Sequence, residues 1–240
     1  MYRIRGVLLG AGIGLMLLSM AIQPTKTQME PVVSGESPHA LTLPQFKSIE
    51  LDGGAKAVIR YGSPQRVTML KGSEALSLIT VTQDRLVIDK CRDKCPRGYE
   101  LQVEIVTPLV NSIDVANGGR IESLGSFPLH TAMSLAVSHG GTIDARAISA
   151  NSITAAVNQG GRILAKPETT MVASVRSGGV ITHWGNAQVT SSTEHGGAVI
   201  KGAAGDLGKP LSHVDEPDSC TPSVPAPPPA RPKRSRTIVI

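Results

Sequence analysis

An all-β fold, wound as a strand-built solenoid, is predicted by two features of this sequence. Five Gly-Gly pairs occur in its second half, at Gly118-Gly119, Gly140-Gly141, Gly160-Gly161, Gly178-Gly179 and Gly196-Gly197, at steps of 22, 20, 18 and 18 residues. A period of that length is too short for a helical-hairpin repeat and suits one coil of a β-solenoid. Aligned on the first glycine, the repeats also show columns. Two residues after the second glycine stand Ile121, Ile143, Ile163, Ile181 and Val199, and three before the first stand Val115, Val137, Val157, Val175 and Thr193. Five before come Ile113, Leu135, Ala155, Ala173 and Ser191, and seven before come Asn111, Met133, Ile153, Met171 and Val189. Columns two residues apart are the period of a strand with one buried face. Between them Asp114, Ala136, Ala156, Ser174 and Ser192 are small or polar, as an outward face requires.

Each element follows from this alignment. The Gly pairs are expected to turn the corners, because glycine takes positive φ without steric cost. The minus-five column shrinks from Ile and Leu to Ala and Ser while the coils shorten, which predicts a cross-section tapering to a polar last coil. In the front half, Phe46 to Ile59 repeats the strand, Gly53-Gly54, strand layout with its alternation shifted by one residue. Stretches 65–70, 76–81, 85–89 and 101–106 read as further short strands, expected to form the first coils and cover the N-terminal end.

At the N-terminus Arg3 and Arg5 precede an apolar run from Val7 to Met20 with a small-x-small site at Ser19-Met20-Ala21. This is the layout of a secretory signal, residues 1–21, cut after Ala21. The alternative is an uncleaved membrane anchor, although the run is shorter than the ~20 residues a spanning helix needs. Residues 22–41 are expected to be a linker, 42–208 the β-helical domain, and 209–240 a disordered, Pro-rich basic tail. The expected location is the periplasm or the exterior of a bacterial cell.

The net charge of +5 and pI of 9.3 would ordinarily suggest nucleic acid. Six of the 24 basic residues, however, lie in the signal and the last ten residues, leaving 18 against 19 acidic ones. With only one Trp, three Tyr and two Phe there is little for bases to stack on. Nucleic acid is therefore not an expected partner. The basic cluster from Arg231 to Arg236 follows a polyproline-like spacer. It reads either as solvated tail or as a patch offered to an acidic lipid or polymer.

Of the three cysteines, Cys91 and Cys95 are spaced for a small disulfide loop, worth roughly 2 kcal/mol on chain-entropy grounds. Cys220 is left over. Neither a zinc ligand set nor a redox Cys-x-x-Cys is present.

An enzymatic reading centres on Glu122 and Asp144. They occupy one column in adjacent coils, about 4.8 Å apart in backbone, which could bring the carboxylates to the ~5 Å of a retaining glycosidase pair. The column continues as Leu164, Thr182 and Ile200, which line no polar cleft, while Arg120 and Arg162 stand close enough to neutralise both acids. A surface charge lattice is the expected role. The residues just before each Gly pair, Asn117, His139, Gln159, Ser177 and His195, form a polar corner ladder. Its histidines are three coils apart, roughly 14 Å, too far to share a metal. No nucleotide-binding glycine loop accompanies the pairs. No catalytic, cofactor-binding or metal-binding residue is expected.

The stretch Phe46-Lys47-Ser48-Ile49-Glu50-Leu51-Asp52-Gly53-Gly54, with the later Ser-Ile-x-x-x-x-Gly-Gly repeats, resembles the GIN domain, or DUF2807, a family described as the head domain of autotransporter adhesins. The resemblance spans residues 42–208. It implies a single-stranded right-handed β-helix, here with coils of about 18–22 residues, in a non-catalytic envelope or secreted protein. Such a module would bind or scaffold an envelope polymer or another protein. A polysaccharide-cleaving β-helix and a self-assembling β-helix resembling bactofilins are the alternative classes, and the sequence leaves a homo-oligomer open.

Overall fold

The computed structural model describes residues 38–209 apart from 92 and 94; the expected signal, most of the expected linker and the expected tail beyond Lys209 lie outside the described residues. The chain is all-β. Fifteen strands form one curled sheet, and among the described residues the single helical turn is a short 3₁₀ segment at Ala204–Asp206.

The front strands are β1 (His39–Leu41), β2 (Ser48–Asp52), β3 (Lys56–Tyr61), β4 (Arg66–Lys71), β5 (Leu78–Thr82), β6 (Arg85–Asp89) and β7 (Gln102–Thr107). They are followed by β8 (Ser112–Val115), β9 (Arg120–Leu124), β10 (His130–Ser138), β11 (Thr142–Asn158), β12 (Arg162–Arg176), β13 (Val180–His183), β14 (Gln188–Thr193) and β15 (Ala198–Lys201).

Two ladders run through the curl, joined by the long strands β11 and β12, which belong to both. The first is β5-β6-β2-β8-β10-β11-β12-β14 and the second β1-β4-β7-β3-β9-β11-β12-β13-β15. From β8 and β9 onward every pairing is parallel, and the register shifts only within the β11–β12 pair, after Asp144 and again after Ala150. In the first ladder Ile113, Leu135, Ala155, Ala173 and Ser191 are mutual partners. In the second, Ile121, Ile143, Ile163, Ile181 and Val199 are. Apart from the exposed Ser191, the two rows belong to one aliphatic core in which Ile113, Leu135, Ile121, Ile143 and Ile163 are buried almost completely.

The front half departs from the expected order. Strand β2 lies between β6 and β8, and β3 between β7 and β9, so the coil that comes first in sequence is not first in the stack. Segments read as plain coils are antiparallel additions instead: β5 folds onto β6, and β4 pairs antiparallel with both β1 and β7. The reason is turn length. Only Gln83-Asp84 separates β5 from β6, both residues have positive φ, and a two-residue turn of that kind makes a hairpin, whereas a parallel step needs a longer crossover. Strand β1 also claims His39–Leu41 from the stretch expected to be a linker.

The corners divide the work of each Gly pair differently from the expectation that both glycines supply positive φ. Asn117, His139, Gln159, Ser177 and His195 have φ between 49° and 58°, and the first glycine of each pair has φ between 78° and 85°. Two successive left-handed residues, closed by hydrogen bonds such as Gly119 N–H to the Ala116 carbonyl at 3.0 Å, have the signature of a type I′ turn. The turn is thus the X-Gly step. The second glycine has another duty: Gly141, Gly161, Gly179 and Gly197 each press on Val115, Val137, Val157 or Val175 of the preceding coil. Gly141 and Gly197 do this without a left-handed φ, as does Gly119, which is close to Leu51 of β2 and to Val115 of its own row.

These roles predict opposite sensitivities. A Cβ on Gly161 would lie 2.6 Å from the Gly141 carbonyl, so Gly161→Ala is expected to destabilise the protein by about 2 kcal/mol or more. Gly140 faces open space, and Gly140→Asn is expected to cost less than about 1 kcal/mol, because asparagine tolerates the left-handed region. Urea unfolding of the two variants checks the assignment; equal losses would contradict it.

Candidate functional site

Glu122 and Asp144 are brought together by the β9–β11 pairing, which makes them direct cross-strand partners. Their chemistry is decided by a residue absent from the sequence reading. The register between β11 and β12 breaks after Asp144, and the irregularity presents Arg146 to the same carboxylate. Arg146 Nε donates to Asp144 Oδ1 at 2.9 Å and an Nη to Oδ2 at 2.6 Å, a bidentate pair in which both residues are nearly sealed from solvent. The Arg146 backbone N–H also donates to Asp144 Oδ1, at 3.1 Å. Where Arg120 and Arg162 were expected to neutralise the acids, the ion pair shown for Asp144 is with Arg146.

The remaining guanidinium hydrogens hold down the segment that follows β15. Arg146 donates to the carbonyls of Asp206 at 2.7 Å, Leu207 at 3.3 Å and Lys209 at 2.7 Å. Its charge also sits 5.5 Å from the Trp184 ring centre. Trp184 Nε1 donates to the Ala203 carbonyl at 2.9 Å. Leu164 and Trp184 are buried beneath this strap with Leu207 packed on them. The bonds to Asp144 hold the Arg146 guanidinium above its ordinary pKa, against the effect of burial. Asp144 is therefore committed to anchoring the strap, and the depression of about 360 Å³ beside it contains Glu122 without a second free acid. This arrangement suits a latch and not acid–base chemistry.

The outer surface of the first ladder offers a different kind of site. In its parallel rows Ser48, Ser112, Ser134, Thr154, Val172 and Thr190 form one outward column. Beside it run Glu50, Asp114, Ala136, Ala156, Ser174 and Ser192. The result is a level face of short side chains repeating at the inter-strand distance. Toward β6 it ends in charge, where Arg85 reaches Glu50 at 3.0 Å and Asp114 at 3.4 Å. Burial raises the Asp114 carboxyl above its ordinary value, with Arg85 opposing and Glu50 reinforcing that shift. A depression of about 370 Å³ joins this charged end to Ala136, Ala156 and Asn158.

The histidines serve the frame. His139 and His195 occupy the first positions of their turns. Asn117 at the equivalent corner donates to Asp52 Oδ1 at 2.6 Å. His130 is buried, its Nδ1 bonded to the Pro128 carbonyl at 2.8 Å and its Nε2 accepting from the Val110 N–H at 3.3 Å. His183 is buried with its Nδ1 unpartnered, and its pKa is lowered first by burial and then by Lys201 opposite it on β15. No metal-binding group of His, Cys, Asp and Glu occurs among the described residues. Cys91 and Cys95 are joined by a disulfide with Cα atoms 5.6 Å apart. Tyr61, Leu109 and Leu129 are exposed apolar side chains, and Tyr61 stands edge-on to Phe127 at 5.9 Å.

No family model and no curated protein matches the chain. Among solved structures it is similar to a protein named "putative adhesin" from Bacteroides fragilis, at 14% identity and a TM-score of 0.46, over 68% of this chain and 95% of that one. It is also similar to a "putative adhesin" from Parabacteroides merdae, at 10% identity and a TM-score of 0.31, over 70% and 96% of the two chains. A third is a "putative lipid binding protein" from Parabacteroides distasonis, at 14% identity and a TM-score of 0.28, over 70% and 97%.

The latch predicts that Arg146→Ala destabilises the fold by about 3 kcal/mol, because it leaves Asp144 buried and unpaired. Glu122→Ala, outside that ion pair, is expected to cost at most about 1 kcal/mol. Thermal and denaturant unfolding of both variants measure the difference. A second expectation concerns pH. His183 binds protons more weakly folded than unfolded, so its contribution is intact above the unfolded value near 6.5 and is lost as pH falls toward the folded value. His183→Phe should flatten the stability profile below about pH 6.5. An unchanged slope would show that other groups set it.

Proposed function

We propose that this chain is an exported, non-catalytic binding or scaffold module of the bacterial cell envelope, of the GIN-domain type. In this reading residues 1–21 are a cleaved signal peptide and 42–208 form a right-handed β-helix whose coils are the stacked parallel rows. The Pro-rich tail would tether or present it. The observation that carries the proposal is the level outer face of the first ladder, from Arg85, Glu50 and Asp114 across Ala136 and Ala156 to Ser174 and Ser192. Short side chains at a regular spacing leave room for an extended partner, and a charged end gives it polarity. An envelope polysaccharide or an extended protein segment has the matching shape. The Cys91–Cys95 disulfide supports an oxidising compartment.

The candidate acid pair supports the same reading from the other side. Asp144 has both oxygens engaged by one arginine, so a retaining-glycosidase mechanism would have to break a buried ion pair to begin.

The test is a glycan array with the mature protein, whose N-terminus should begin at Ile22, alongside Ser134→Arg/Ala156→Arg. Both positions point outward, so the double variant should keep its melting temperature while losing at least tenfold in affinity for whatever polymer the wild type retains. Undiminished binding would move the site elsewhere. Turnover of an envelope polysaccharide that is lost in Glu122→Ala would replace the binding module with an enzyme.

A further inference from the structure

The two ends of the stack are finished differently. At the front, antiparallel strands close the parallel rows, β5 on β6 and β4 with β1 on β7. At the back nothing does among the described residues: β14 pairs only with β12, and β15 only with β13. Most side chains of β14 are small and polar, but among the described residues the backbone edge is unpaired. Ala198 and Gly202 donate their N–H groups back to Gly179 at 3.1 Å and His183 at 2.9 Å. Strand alternation therefore turns the N–H groups of Val199 and Lys201 outward. Val199 and Val189, at positions that are buried in earlier coils, are only half-buried, and Ile200 is 45% exposed. Strand β14 carries no charge and no proline, and Lys201 is the one charge in β15. Open edges of this kind are normally blunted or covered.

We propose that Thr237-Ile238-Val239-Ile240 of the same chain covers this edge by adding as a parallel strand beside β15. The segment is a run of β-branched residues, and alternation suits it to the next row. With Thr237 opposite Ala198, Ile238 continues the column Ile121, Ile143, Ile163, Ile181 and Val199. In that register the Val199 N–H donates to the Thr237 carbonyl, the Val239 N–H donates to the Val199 carbonyl, and the Lys201 N–H donates to the Val239 carbonyl. The residues between, 210–236, are rich in proline and poorly suited to pair themselves, and extended they reach roughly 80 Å at ~3.1 Å per residue. The strap leaves Lys209 beside Arg146, about three inter-strand spacings or roughly 14 Å back from β15, well within that reach. A tether of this length also holds the segment near a millimolar effective concentration, which a second copy at micromolar concentration does not match.

Hydrogen exchange on the full chain tests the pairing. In the wild type the Val199 and Lys201 amides should exchange about tenfold or more slowly than in Val239→Pro, which removes the one N–H the added strand donates to Val199. Ile238→Val should retain the protection. The Ile163 and Ile181 amides, inside the stack, should be unchanged in every variant and report an intact fold. Wild-type protection should persist on dilution. Fast exchange of Val199 and Lys201 in the wild type overturns the proposal. Protection that survives Val239→Pro and disappears on dilution together with a dimer also overturns it, and gives the edge to a second copy.

Discussion

The structure depends on one steric requirement, that each corner nest closely over the one before it. Parallel strands in register bring every coil to the inter-strand distance, and a corner that carried an extra carbon would hold the coils apart. At Gly179 an added Cβ would stand 2.9 Å from the Gly161 carbonyl, and the same geometry repeats at Gly161 over Gly141. Because the corners close, Val115, Val137, Val157 and Val175 lie under glycines and the aliphatic rows remain continuous. The level outer face follows from the same closure, since rows that stack in register inside also stack in register outside.

Much of this was legible in the sequence because it is periodic. Columns two residues apart gave the strands, and the registers of β8, β10, β11, β12 and β14 pair the very residues that share a column. The decrease in side-chain size along that column, from Ile113 to Ser191, is visible in the sequence for the same reason. What was hidden depends on contacts without a period. The left-handed conformation of Gln159 and Ser177 is imposed by the turn, since neither residue type favours it strongly. The interleaving of β2 and β3 among later strands joins segments more than fifty residues apart and leaves no local trace.

The candidate site shows the same division. The column placed Glu122 beside Asp144, and the structure does so too. It could not reveal that Asp144 is occupied, because the deciding residue lies in an irregularity of β11 and its other partners are some sixty residues later in the chain. Arg146 belongs to none of the aligned columns, so the repeat does not single it out. Trp184 offered the available hint: the sole tryptophan of the chain shortly precedes Gly202, and a side chain on Gly202 would collide with its indole.

The interleaved front strands carry a consequence for the order of assembly. From β10 to β15 each row pairs with neighbours close in sequence, so rows can be laid down one upon another with short loop closures. Strands β2 and β3 instead lie against β8 and β9 on one side and β6 and β7 on the other, as a wedge between rows that the chain makes later. Residues 48–61 find their first partners in β6 and β7, complete at residues 89 and 107, and are flanked on both sides only when residue 124 has been made. The front of the molecule is therefore completed only after its middle has been made, and loop-closure entropy favours starting from the glycine-paired rows, whose partners lie closest in sequence.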